Sequence, residues 1–240
     1  MAIAYKYAED IHNNLRMYPA WPINMPLALG DYGTLENSIF QRIGNITDKF
    51  GIQFERISSL PSTHYDYRSA NKIEAILKPR ATIGMGAVSA NASLDISFSG
   101  ENAIFFNAAE CSVTTYKDND EVFDQLIDLY RQGNWDSSYK IITDIVNASS
   151  TTLIFSGGNN ASISLEADTP NIDTIDLAKA NIGLKIKNEK NIGLKIISIG
   201  GLTPLIRLAG IIKWPFLEPR VRQLLAENNV QEPVVFRMIG

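Results

Sequence analysis

The sequence predicts an α+β fold: a single domain built on a mostly antiparallel, hairpin-rich sheet with three to four flanking helices. Residues Ser93–Ser99 alternate strictly, with Leu94, Ile96 and Phe98 on one face and Ser93, Asp95, Ser97 and Ser99 on the other, the period of a half-buried strand. Comparable β-rich runs recur between residues 72 and 167, separated by short Gly- and Asn-containing stretches suited to tight turns. Residues 3–16 and 118–133 carry instead the apolar spacing of amphipathic helices.

In chain order, Ile3, Tyr7, Ile11 and Leu15 form one face of a first helix, which Pro19, Pro22 and Pro26 stop. "LALGDYGTLENSIFQRIG" reads as two short strands around a Gly30-Asp31-Tyr32-Gly33 turn. Asn45 starts one helical turn over "NITDKFG", before a strand at "IQFERIS". Residues 60–71, "LPSTHYDYRSAN", read as a polar loop. Strands follow at "KIEAIL", "ATIGMGAVS", "ASLDISFS" and "AIFFNAAECSVTTY", with a tight turn at Gly100–Asn102. The strongest helix is capped by Asp118 or Asn119, carries Val122, Phe123, Leu126, Leu129 and Tyr130 as its apolar stripe, and is closed by Gly133. Trp135 leads a strand pair, "YKIITDIVNA" and "TTLIFSGGNNASISLEA", whose second member turns at Gly157-Gly158-Asn159-Asn160. "LTPLIRLAGII" is strand-like, "EPRVRQLLAENN" is a short helix with Pro219 in its first turn, and "PVVFRMI" is a final edge strand. No Ser- or Pro-rich linker divides the chain, so residues 1–240 read as one domain, with 214–240 as a C-terminal docking or regulatory segment.

The six residues NIGLKI occur twice, at Asn181–Ile186 and Asn191–Ile196. A solenoid needs at least three units. The apolar residues of both copies keep a period of two, which excludes a helix. The repeat therefore predicts one hairpin with an odd-length loop, because only then does Ile186 meet Ile192 and Leu184 meet Leu194; register follows the apolar pattern. Lys185, Lys187 and Lys195 then face outward, as a solvated face or toward acidic lipid head groups or an acidic partner.

Hydrophobic content of 45% and charge of 20% are globular values. A net charge of −4 argues against nucleic acid as a partner, since phosphate binding needs a basic stripe. With Cys111 alone there is no intramolecular disulfide. The N-terminus lacks the basic-then-apolar layout of a secretory signal, and no uninterrupted apolar run reaches the about 18 residues of a spanning helix. The expected ground state is soluble and cytoplasmic.

No cofactor, metal or catalytic residue is expected. His12 and His64 are the only histidines, and no cluster has zinc-ligand spacing. Cys111 alternates with Val113 as a small buried hydrophobe would. His64, with Ser62, Asp66 and Arg68, has the composition of a general-base loop, but also that of a surface turn. Gly84-Met85-Gly86 has Ser89 where a dinucleotide loop needs its third glycine, and no helix follows. "DNDE" at 118–121 sits at a helix start, where it compensates the dipole. A hydrolytic enzyme has the least support, and the chain reads as non-enzymatic.

Residues 72–116, 118–132 and 135–167 resemble the hairpin–helix–hairpin layout of gasdermin pore-forming domains, compact bacterial and fungal relatives included. "GNWDSSYKIITDIVNASSTTLIFS" carries the likeness best. The resemblance rests on layout and covers about 100 residues. It implies hairpins that extend into amphipathic strands of a membrane barrel after oligomerisation, and a C-terminal segment that restrains the protein until a protease removes it. Bacterial members usually carry an acylated cysteine near the N-terminus, whereas the first cysteine here is Cys111. The candidate membrane- or partner-facing residues are Lys185, Lys187 and Lys195 with Leu94, Ile96, Phe98, Ile163 and Leu165, whose alternation suits barrel strands. The implied partners are a lipid membrane and further copies of the chain. The alternative is a soluble ligand- or protein-binding module without membrane activity, with a protein among its possible partners.

Overall fold

The computed structural model describes residues 2–84, 87–167, 185–213 and 234–239. Its organising strand is β9 (Lys140–Ser156), where only Asn147 and Ser149 are exposed. A run so continuously buried belongs in the middle of a sheet covered on both faces. β8 (Ile104–Tyr116) pairs along one side of it and β12 (Ile192–Lys213) along the other. Beyond β8 lie β4 (Arg56–Ser58) and β5 (Thr63–Arg68); β12 carries β1 (Tyr18–Pro19) and β13 (Val234–Ile239) on its outer edge. β2 (Asp31–Glu36) joins the start of β9 and is paired in turn by β3 (Ile39–Asn45). A second, four-stranded sheet has the order β6 (Ile73–Gly84), β7 (Ala87–Phe98), β10 (Ala161–Ala167), β11 (Lys185–Lys190). All pairings are antiparallel, and the helices among the described residues are α1 (Ala2–Leu15), α2 (Ile46–Phe50) and α3 (Asn119–Arg131).

The small sheet continues the large one. β5 runs into β6, β7 into β8, β9 into β10 and β11 into β12. The lateral order β5-β8-β9-β12 in one sheet therefore matches β6-β7-β10-β11 in the other. Four strands cross a common line and fold back there, because the apolar face of the small sheet packs against Phe105 and Ile154 of the large one. On the opposite face, Tyr7 and Ile11 of α1, with Met17 and Ile23, cover Ile104, Phe106, Leu153 and Phe155. At the end remote from the corner, Val122 and Leu126 of α3, Ile46 of α2, Trp135 and Phe236 close the third cluster.

Local chemistry accounts for the helices as predicted. Asp118 accepts hydrogen bonds from the Asp120 and Glu121 amides at 3.0 and 3.2 Å, and Gly133 takes the left-handed conformation past the helix end. Asn45 caps α2 through the Thr47 amide. The final strand 234–239 pairs with β12 as an edge element. Residues 218–229, read as a helix, lie outside the described residues.

Four expectations are corrected. Residues 60–71 are not all loop: Thr63–Arg68 form β5, with Tyr65 opposite Ala108 and Tyr67 opposite Phe106. Its solvated residues, His64 and Asp66, alternate with those tyrosines, so an edge strand presents a polar composition. The turn assigned to Gly30–Gly33 lies at Asn37-Ser38, both left-handed (φ 49° and 63°), as a two-residue hairpin loop requires. Gly33 is needed inside β2, where a Cβ would come within 1.8 Å of the Gln41 carbonyl oxygen. The turn at Gly157–Asn160 does not join paired strands, since β10 pairs with β7 and β11. Lastly, Ile186 and Ile192, the described pair of the expected NIGLKI hairpin, do not meet. β11 extends the small sheet, with Ile186 opposite Leu165, whereas β12 lies along β9, with Ile192 opposite Ser156 and Leu194 opposite Phe155. The described residues of the first copy pair with β10, whose Ile163 and Leu165 are already buried, and those of the second with the buried strand β9. Residues 181–184 lie outside the described residues.

Candidate functional site

The small sheet has two unlike faces. Leu94, Ile96, Phe98, Ile163 and Leu165 are each at most 2% exposed and form, with Ala161, Phe105 and Ile154, one apolar cluster. The cross-strand pairs Ile96–Ile163 and Leu94–Leu165 keep these side chains on one face. These residues, expected to face a membrane or partner, therefore face the large sheet in this state. The outer face is polar. Ser93, Asp95, Ser97, Ser162, Ser164, Asn188 and Lys187 surround an open groove of about 800 Å³, which Ile76 also lines. Ser164 donates to Asp95 across the β7–β10 pair.

The three lysines separate. Lys187 is exposed and borders the groove. Lys195 is half-buried on β12 and paired with Glu189 of β11, so it does not form an outward row with Lys187. Lys185 stands opposite Glu166 in register. Ile186, expected on a buried Ile/Leu face, is 41% exposed, because β11 is the last strand of the small sheet among the described residues.

The corner itself is held by hydroxyls. Buried Ser156 accepts from the Ala103 amide at 2.9 Å and donates to the Gly100 carbonyl at 2.6 Å. Ser69 accepts from the Ile104 amide at 2.9 Å. These bonds satisfy backbone groups that a bend removes from the sheet ladder. Neither serine stood out in the sequence; their only signal was a position where a β-run ends and an Asn or Gly follows.

Other candidates fall elsewhere. His64 and Asp66 lie on the exposed face of β5, while Arg68 sits over the Phe105 ring at 5.5 Å. His12 stacks on Tyr18 at 4.2 Å, and burial together with Arg16 lowers its pKa. Asp31, a buried acid that sequence reading missed, is met by Arg42 at 2.7 Å, Asn45 at 3.0 Å and the Ala28 amide at 2.9 Å. Its role is to fix the start of β2. Among the described residues no three His, Cys, Asp or Glu side chains gather as a metal site, and no helix is long and apolar enough to cross a membrane.

Cys111 is fully buried, and burial pushes its thiol up to about 12. A thiol so protonated and enclosed is a poor nucleophile. Ellman's reagent at pH 8 is therefore expected to leave native protein unlabelled and to titrate one thiol in denaturant. Rapid labelling of the native state would contradict the burial.

No family model and no curated protein matches the chain in sequence.

Proposed function

We propose that the chain is a membrane-inserting, pore-forming effector whose small sheet supplies the inserted strands, as the gasdermin-like layout implies. The observation that carries this reading is the continuity of four strands across the corner into a sheet with one apolar and one polar face. β6 and β7 are 12 residues each, against the about 9–11 that a tilted membrane strand needs. With the sheet swung outward, Leu94, Ile96, Phe98, Ile163 and Leu165 would meet lipid, and the serines, Asp95 and Asn188 would meet water, the alternation of a barrel wall. Lipid tolerates no open sheet edge, so insertion requires further copies of the chain to close the barrel. Lys187 and Lys195 would favour acidic head groups at the margin. On this reading the chain is made as a single soluble domain, and residues 214–240 restrain it.

The test is dye release from vesicles of acidic and of neutral lipid, with the whole chain and with protein cut near Trp214. Release from either form on either lipid is the expected result. No release from any form on any lipid overturns the proposal. It would leave the hydroxyl-lined groove of about 800 Å³ as the better guide, toward a soluble binding module.

A further inference from the structure

Every strand that crosses from one sheet to the other does so through an asparagine in the left-handed conformation. Asn71 (φ 54°) stands between β5 and β6, Asn102 (φ 55°) between β7 and β8, Asn160 (φ 58°) between β9 and β10, and Asn191 (φ 53°) between β11 and β12. Only one other asparagine among the described residues has a positive φ, Asn37, and it makes the β2–β3 hairpin turn. Regular extended backbone has φ near −120° to −140°, and the left-handed residues inside strands, Glu110 of β8 and Gly200 of β12, sit where the ladder with β9 is interrupted. The four asparagines, by contrast, stand where the chain leaves one sheet for the other.

We infer that Asn71, Asn102, Asn160 and Asn191 form a hinge line that sets the balance between a folded-back and an extended small sheet. Asparagine suits that balance. It enters the left-handed region more readily than other non-glycine residues, yet it occupies extended backbone without the conformational freedom of glycine. Other contacts hold the bent form. The Asn102 amide donates to the Ser156 carbonyl at 3.1 Å, the Gly157 amide to the Asn191 carbonyl at 2.7 Å, and the Ser99 amide to the Lys72 carbonyl at 2.9 Å. The Glu189–Lys195 pair joins β11 to β12 across the corner. All are short-range bonds around the crossing line. The apolar cluster beyond them is what unbending would expose.

This inference rests on the proposed insertion for its purpose but not for its test. With Cys111→Ser, spin labels at Ser97→Cys on the small sheet and Asn147→Cys on the exposed face of β9 report the distance between the sheets in solution, without lipid. Substituting valine at a hinge asparagine penalises only the bent state, and each substitution is expected to raise the population at longer distance about tenfold. Alanine at the same positions, with its smaller side chain, is expected to act in the same direction and serves where valine does not fold. Glycine, which takes positive φ freely, is expected to keep the short distance, as is Asn37→Val outside the corner. An unchanged distance in every folded valine and alanine variant overturns the hinge. If wild-type protein still releases dye, the pore reading survives that result. Lengthened distances with no dye release from any form would leave the hinge standing and remove the pore reading.

Discussion

Ile96→Lys is expected to abolish dye release, whereas Ser97→Lys, one residue further along β7, is expected to leave it within about twofold. The two positions point to opposite faces of one strand: Ile96 is fully buried in the corner cluster, and Ser97 lines the outer groove. A lysine on the lipid face of a barrel strand costs about 2–4 kcal/mol at the membrane midplane, and every copy in the barrel incurs it. The same lysine on the opposite face meets water. Because Ile96→Lys also disturbs the folded-back state, Ile96→Ala separates the two effects. It removes packing between the sheets, a change of about 2–4 kcal/mol, but keeps the face apolar. Alanine is therefore expected to hasten release while lysine prevents it. If Ile96 only stabilised a soluble fold, both substitutions would move release in the same direction. Vesicle leakage, read beside far-UV circular dichroism and thermal melting of each variant, decides between these outcomes.

That asymmetry was legible in the sequence, since the alternation from Ser93 to Ser99 is enough to assign the two faces. The corner was not. Phe98 and Ile104 belong to different sheets, yet Ser99–Ala103 between them reads like any hairpin turn. Period and turn chemistry specify that a chain reverses or bends, and say nothing of which strand it meets next. The repeat failed for the same reason. Two identical alternating segments satisfy each other's pattern locally, but β10 and β9, with apolar side chains already buried, pair with the described residues of the two copies instead. Edge position hid β5, because half of its residues are solvated and its composition matches that of a loop. The helices were the most readable elements. Their signals are local: the cap at Asp118 and the spacing of Val122 and Leu126 are written within four residues of where they act. Buried polar groups such as Asp31, Ser69 and Ser156 were not singled out, since their partners come from sequence-distant segments or from backbone.

Trp135→Ala is expected to destabilise the protein by about 4 kcal/mol, the range for removing a large buried aromatic side chain. Trp135 is 2% exposed and is the centre of an aromatic group that draws on five parts of the chain. Its ring lies 5.3 Å from Tyr32 of β2, 5.7 Å from Phe50 of α2, 5.5 Å from Tyr139 before β9 and 6.2 Å from Phe236 of β13. Phe123 of α3 stacks on Phe236 at 5.0 Å, which extends the group to the third helix. The indole Nε1 has no hydrogen-bond partner among the described residues, and the ring contacts assign the contribution to packing. Trp135→Phe keeps most of the ring contacts and is expected to lose only about 1–2 kcal/mol. A urea titration that placed the phenylalanine and alanine variants together would show instead that the indole nitrogen, through a bound water, carries the energy. Phe236→Ala extends the argument to the C-terminal strand. Trp135 and Phe236 touch, so the double variant is expected to be less destabilised than the sum of the singles by about 0.5–1.5 kcal/mol. Purely additive losses would mean that β13 is held by its ladder with β12 alone. A positive coupling ties the strand nearest the C-terminus to the packing around Trp135. Loosening that contact is then a route by which the restraint proposed for residues 214–240 could be weakened without cutting the chain. On that argument Phe236→Ala raises dye release from full-length protein, and an unchanged rate confines the role of β13 to stability.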